Sequence, residues 1–168
     1  MENSKAGTAG KFPSSKVRRK VSKKVSGGVV KYWVNGPSGN AAAKELAPSK
    51  LIKALKAGLP VHELDDLRRG LDLRIEKLAS MLGISTATLH RRKTTGRLDV
   101  AESDRVVRFA RLLGKAAAVM ESIDDGRHWL TSPQVGLGGA IPLEYAETEV
   151  GAREVENLLG RIENGVYS

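Results

Sequence analysis

The stretch LASMLGISTATLHRRK, residues 78–93, constrains this chain more than any other, because it sets a small residue, a glycine and an anchoring leucine at the intervals a helix-turn-helix requires. In that motif two helices cross closely, so a small side chain is needed at the crossing, and Ala79 supplies it. Gly83 permits the positive φ of the tight turn. Ile84 and Leu89 anchor the turn and the second helix from inside, and Ser85 is a natural N-cap. Thr86, Thr88, His90, Arg91 and Arg92 are then left for the outer face. Thr86 falls near the helix N-terminus, where base edges are approached, while Arg91, Arg92, Lys93 and Arg97 can reach phosphates or a guanine edge. Together with Ser85, these residues form the expected DNA-binding set. Helical corners of this shape also occur in domains that never touch nucleic acid, so the basic cluster on the exposed side is what favours DNA.

Charge is distributed unevenly along the 168 residues. Residues 1–60 carry 13 Lys/Arg against 2 Asp/Glu, residues 61–97 carry 8 against 5, residues 98–123 balance at 4 against 4, and residues 124–168 carry 3 against 8. A basic front suits phosphate contacts, whereas an acidic rear would be repelled by DNA and better faces solvent or a protein partner. Residues 1–28 read as a basic disordered tail, either a solvated arm or a nonspecific DNA contact. VVKYWV at 29–34 reads as a short strand or extended segment packing on the body, within a linker that runs to residue 47.

From Pro48 onward the signals are helical, and the expected class is all-α. Pro48 opens a helix with Leu51, Ile52 and Leu55 on one face and Gly58 as its stop. A second follows Pro60, with Val61, Leu64 and Leu67 inward and Gly70 as its end. Asp72 can cap a third, with Leu73, Ile75, Leu78, Ala79 and Leu82 buried. Asp99 can cap a long helix reaching about Met120, with Val106, Val107, Phe109, Ala110, Leu112 and Leu113 inward. A short helix from Asp124 to Leu130 carries Trp129, which reads as core. After the loop SPQVGLGGAIP, a last helix from about Thr148 to Glu163 turns Val150, Val155, Leu158, Leu159 and Ile162 inward and stops at Gly165. The expected division is a helix-turn-helix domain at 48–120 and a separate helical module at 121–168.

The chain has no cysteine, which excludes disulfides, thiolate zinc sites and cysteine nucleophiles. His62, His90 and His128 lie far apart in sequence, and the glycines at 136–139 lack the strand and lysine of a phosphate-binding loop. No cofactor or metal is expected, and no catalytic constellation emerges. No apolar run approaches the roughly 20 residues that span a bilayer, so a soluble cytoplasmic protein with no membrane partner is expected.

The segments TLHRRKTTGRL, ESDRVVRFARLL and HWLTSPQVGLGGAIPLEYAETEVGAREVENLLGRIENGVYS resemble the Xre/MbcA/ParS antitoxin family, from about residue 60 to the C-terminus. The resemblance implies a two-part antitoxin of a type II toxin-antitoxin system. Its helix-turn-helix would repress its own operon, and its C-terminal module would neutralise a RES-domain, NAD-degrading toxin by covering the active-site entrance. The blocking surface would comprise the last helix and Glu163, Asn164, Gly165, Val166, Tyr167 and Ser168, with Arg153 and Arg161 pairing with toxin carboxylates. Independently of the family, Gly165 releases the chain and sets Val166 and Tyr167 at an exposed end, where Tyr167 either anchors a partner or folds back on the core. Homodimerisation on operator DNA is expected, since helix-turn-helix proteins usually read paired half-sites. The alternative is a stand-alone transcriptional regulator with no toxin partner.

Overall fold

The computed structural model describes residues 28–35 and 48–166. The chain is all-α, with nine α-helices, one short 3-10 turn and two isolated β-bridges among the described residues. The basic tail before residue 28, the segment 36–47, Tyr167 and Ser168 lie outside them.

The spine is α6, Val100–Val119. Its start is fixed by a reciprocal cap. The Glu102 N–H donates to Asp99 Oδ1 at 2.7 Å, and the Asp99 N–H donates to Glu102 Oε2 at 2.8 Å, so two of the helix's orphan donors are satisfied at once. Val106, Phe109, Ala110, Leu112, Leu113 and Ala116 are fully buried, as the 3.6-residue period requires.

Around this spine, α2 (Pro48–Ala57) ends at Gly58, whose φ of +76° only glycine adopts cheaply, and α3 (His62–Leu71) buries Leu64, Leu67 and Leu71. The expected stop at Gly70 is corrected: Gly70 lies within α3 and close under Leu113. The residue that ends α3 is Asp72, at φ 53°, where the Asp72 and Leu73 amides return to the carbonyls of Arg69 and Arg68. Asp72 therefore does not cap α4 (Ile75–Met81), whose preceding residue Arg74 makes no side-chain cap. Next come α5 (Thr86–Thr95), α7 (Ile123–Thr131), the 3-10 turn Val135–Leu137, α8 (Pro142–Tyr145) and α9 (Glu149–Glu163). Ile52 and Val150, expected inward, are exposed, Val150 at 74%.

The segment expected as strand or extended chain is a helix, α1, Val29–Asn35. The reason lies 34 residues away. The buried Glu63 carboxylate on α3 accepts the Val29 N–H at 2.8 Å and the Val30 N–H at 3.0 Å, supplying an N-cap from outside the segment. Val29 and Val30 bury against the body, and Trp33 and Val34 pack beside them. A Cβ on Gly114 of α6 would collide with the Trp33 carbonyl, and one on Gly126 of α7 with the Ala116–Ala117 backbone, so α1 and α7 approach the spine at glycines. The N-terminus of α9 is held to the spine by Glu149, which pairs with Arg108 at 3.2 Å and Arg153 at 3.2 Å.

Alanine is better than glycine in a helix interior by about 1 kcal/mol, yet Gly114→Ala is expected to expel α1. Hydrogen exchange should then show amides 29–35 losing protection while those of α6 keep it. Retained protection at 29–35 would contradict the close crossing. The hydrogen bond from Arg153, then the charge of Arg108, hold the Glu149 carboxyl below its ordinary value of 4.5. A depressed carboxylate stabilises the fold fully above that ordinary value and loses the contribution as pH falls through the lower folded value. The stability gap between the parent and Glu149→Gln, read by urea denaturation, should therefore shrink as pH falls from above 4.5 into the acid range; a gap independent of pH would reject the pairing.

Candidate functional site

The helix-turn-helix is built as its residue types dictate. Ala79 is buried at the crossing of α4 and α5, and Gly83 turns the chain at φ +68°. The Gly83 amide donates to Ser80 O at 2.9 Å and the Ile84 amide to Ala79 O at 2.8 Å, closing α4. Ile84 and Leu89 are buried, and Ser85 Oγ accepts the Thr88 N–H at 3.2 Å, capping α5. The Ser85 hydroxyl also donates to Thr88 Oγ1 at 3.0 Å, leaving Thr88 half-buried. Arg105 of α6 fastens the corner by donating to Leu82 O at 2.6 Å.

The outer face of α5 presents Thr86, His90, Arg91 and Lys93, all exposed. Arg92 departs from the expected set. Its side chain, 17% exposed, turns toward α6, with Nε donating to Glu102 Oε2 at 2.7 Å and Nη2 to Asp99 Oδ2 at 2.9 Å. The hydrogen bond to Glu102 holds its guanidinium above the ordinary arginine value. Arg92 thus joins the recognition helix to the spine instead of facing outward. Arg97 stays exposed, but its Nη1 donates to Gly58 O at 2.8 Å and Ala57 O at 3.3 Å, covering the carbonyl end of α2.

A second surface lies at the opposite end of the chain. Thr148 Oγ1 accepts the Gly151 N–H at 3.1 Å to cap α9, and Gly151 lies against the Tyr145 carbonyl, where a side chain would not fit. Ala152, Val155 and Leu159 are buried against the body. At the far end Gly165, at φ +67°, lets its own amide and that of Val166 return to Ile162 and Arg161 carbonyls. This releases Val166 as an exposed apolar residue.

Leu158 and Ile162, expected inward, are only partly covered. With Val166, Met120, Trp129, Gly136 and Val135 they line a groove of about 490 Å³. Val135, 97% exposed, stands at its edge on the 3-10 turn. That turn is fixed by Gln134, whose Nε2 donates to Trp129 O at 2.9 Å and Ser132 O at 3.1 Å. Trp129 both packs against the core and lines the groove. Val135 was not among the expected site residues, although a valine inside a glycine-rich loop with nothing local to bury it is a usable signal. Arg161 lies at the groove with no carboxylate within ion-pair distance among the described residues, whereas Arg153 is paired on its own helix with Glu149. Glu163, Asn164 and Gly165 are exposed.

Among the described residues, no group of three or more His, Cys, Asp or Glu is placed to hold a metal, and no helix is long and apolar enough to cross a membrane.

Comparison with known proteins divides the chain into these two surfaces. Residues 50–111 match the antitoxin Xre-like helix-turn-helix domain, and residues 115–165 match the antitoxin Xre/MbcA/ParS C-terminal toxin-binding domain. The chain is 35% identical over 121 residues to the antitoxin Xre of Yersinia enterocolitica, a match spanning 70% of this chain and 81% of that protein. It is 33% identical over 116 residues to the antitoxin Xre of Photorhabdus laumondii, spanning 68% and 78%. It is 25% identical over 142 residues to the Prs ADP-ribosylating antitoxin of Sphingobium sp., spanning 79% and 89%. With a capped recognition helix at one end and a partly uncovered apolar groove at the other, the chain belongs to the Xre/MbcA/ParS family of antitoxins, which pair a DNA-binding helix-turn-helix with a toxin-binding C-terminal domain.

Proposed function

We propose that this antitoxin neutralises a RES-domain, NAD-degrading toxin in the cytoplasm by laying the end of α9 over the toxin's active-site entrance, and that as a homodimer it represses its own operon through α5. The observation that carries the first part is the release of Val166 at Gly165 beside the apolar groove. Exposed aliphatic groups around a concavity gain free energy only when a partner covers them, at roughly 25 cal/mol per Å². The cationic Arg161 at the same place offers a site for a toxin carboxylate. The Sphingobium relative's name adds chemical support, since ADP-ribosylation consumes NAD, and a toxin drawing on that dinucleotide is the target this reading requires.

The second part rests on Thr86, His90, Arg91 and Lys93, which share the exposed face of α5, with Ser85 capping its start and Thr88 beside them. Removing a phosphate-binding side chain from this face weakens association with every sequence alike.

Deleting residues 164–168 is expected to abolish protection from a co-expressed RES-domain toxin, read as the cellular NAD level, while operator affinity stays unchanged. Val135→Asp with Val166→Asp should weaken toxin binding by about 10-fold or more, since each places an unpaired charge in the covered interface. Full protection by the truncated chain would reject the blocking-end reading. A chain that binds its operator but co-purifies with no toxin would instead act as a regulator alone. On the DNA side, Arg91→Ala should lower operator affinity and reduce the salt slope by about 1 without moving the thermal midpoint. Arg92→Ala should lower the midpoint, because it leaves the Glu102 carboxylate short of its cation. Reversal of these two phenotypes would refute the assigned geometry.

A further inference from the structure

We propose that α2 is a second DNA-contacting element, in which Lys50, Lys53 and Lys56 grip the phosphate backbone alongside the recognition helix. The proposal rests on the DNA-binding reading and extends the contact surface beyond the helix-turn-helix proper.

Three observations lead to it. The first is placement on the helix. Lys50, Lys53 and Lys56 recur every third residue, which sets them on one side of α2, and all three are exposed. Leu51, Ala54 and Leu55 pack, partly buried, against the core, so the lysine side of α2 is turned away from it and presents a basic edge. No Asp or Glu occurs anywhere from residue 46 to 62, nor from 85 to 98, so neither α2 nor α5 carries an acid that would neutralise this edge.

The second is the joint between the two helices. Arg97, just past the end of α5, donates to the Gly58 and Ala57 carbonyls at the end of α2. The Leu98 amide donates to Leu59 O at 2.9 Å, and the Val61 amide donates to Gly96 O at 3.0 Å. Pro60 and Arg97 form an isolated bridge. A cleft of about 400 Å³ opens there, with Lys50 and Lys53 on one wall and Arg97 on the other. The carbonyl end of a helix ordinarily repels anions. Here the Arg97 guanidinium covers that end, so a phosphate entering the cleft meets cations and not bare carbonyls.

The third is how charge is spent elsewhere. Arg68, Arg69, Arg108, Arg111, Arg127 and Arg153 each lie within ion-pair distance of a carboxylate. No carboxylate among the described residues approaches Lys50, Lys53 or Lys56 in this way, nor Arg91 or Lys93 on α5. Arg74, Arg105, Lys115 and Arg161 also lack one, but among the described residues only α2 and the end of α5 with Arg97, joined at Pro60, each gather three such cations. Lysine is a compact point charge on a flexible stem, suited to a phosphate and poorly suited to reading a base edge, so this grip adds affinity without sequence preference.

The test uses the full chain carrying Lys50→Gln, Lys53→Gln and Lys56→Gln together, titrated by fluorescence anisotropy between about 50 and 200 mM salt. The probes are a short duplex from upstream of its own gene and a shuffled duplex of equal length. Each phosphate no longer neutralised should reduce the slope of log affinity against log salt by about 0.9, so a reduction of about 2 to 3 is expected, equal on both duplexes. Glutamine keeps helix propensity near that of lysine, and the matching lysine-to-arginine variant should restore the slope. An unchanged slope in the glutamine variant, while Arg91→Ala lowers it, would overturn the role of α2 and leave the recognition helix standing. If the parent binds neither duplex, the DNA-binding reading itself fails and takes this proposal with it. Loss of toxin binding with DNA binding unchanged would assign the basic edge to an acidic protein surface and would also overturn it.

Discussion

The carboxylate of Glu102 fixes the recognition helix to the start of the spine. One of its oxygens accepts from the Asp99 amide and from Arg92 Nε, while the Asp99 carboxylate accepts the Glu102 amide in return and forms a second ion pair with Arg92. A capping box on an ordinary surface helix only satisfies orphan donors. Here the same two acids also seize the recognition helix, so the helix that presents Arg91 and Lys93 is aimed by the start of α6. Removal of water from the largely buried Glu102 strengthens this arrangement, because a charge in a low-dielectric setting requires its partners.

From that anchor α6 runs on as the common wall of everything else. It receives α1 at its own Gly114 and α7 through that helix's Gly126, and it ties α9 through Arg108 to Glu149 and through Arg111 to Glu156 at 2.8 Å. The two family domains meet inside this one helix, since one match ends at residue 111 and the other begins at 115. The buried residues form one contiguous cluster from Val29 to Leu159. The division into a DNA-binding and a toxin-binding part is therefore a division of surface, with the interior shared.

Features encoded locally were legible in the sequence. Ala79, Gly83, Ile84, Ser85 and Leu89 act on neighbours a few residues away, so their roles follow from spacing and side-chain chemistry, and the same holds for Asp99 and Gly165. Features set by distant partners were not. The helical state of residues 29–35 depends on a carboxylate at Glu63, and β-branched Val29, Val30 and Val34 pointed instead to extended chain. Arg92 sits in a basic run whose other members face solvent, and only the fold brings Glu102 beneath it. Asp72 precedes a helix and reads as its cap, yet the left-handed turn after α3 uses it first. Val150 fits the apolar period of α9 but falls in the first turn, beyond the reach of the core. At the candidate toxin surface, the exposed helix end was readable from Gly165 and Val166, while the groove needed Trp129, Val135 and Leu158 from separate elements.

Because both binding surfaces are mounted on α6, the protein has little scope for losing one while keeping the other through partial opening. A protease or unfoldase that engages the chain and melts this helix would strip the operator and uncover the toxin in a single event. If α5 represses the chain's own operon as proposed, degradation of one molecule would couple renewed synthesis to release of the toxin, with the timing of both set by the lifetime of one helix.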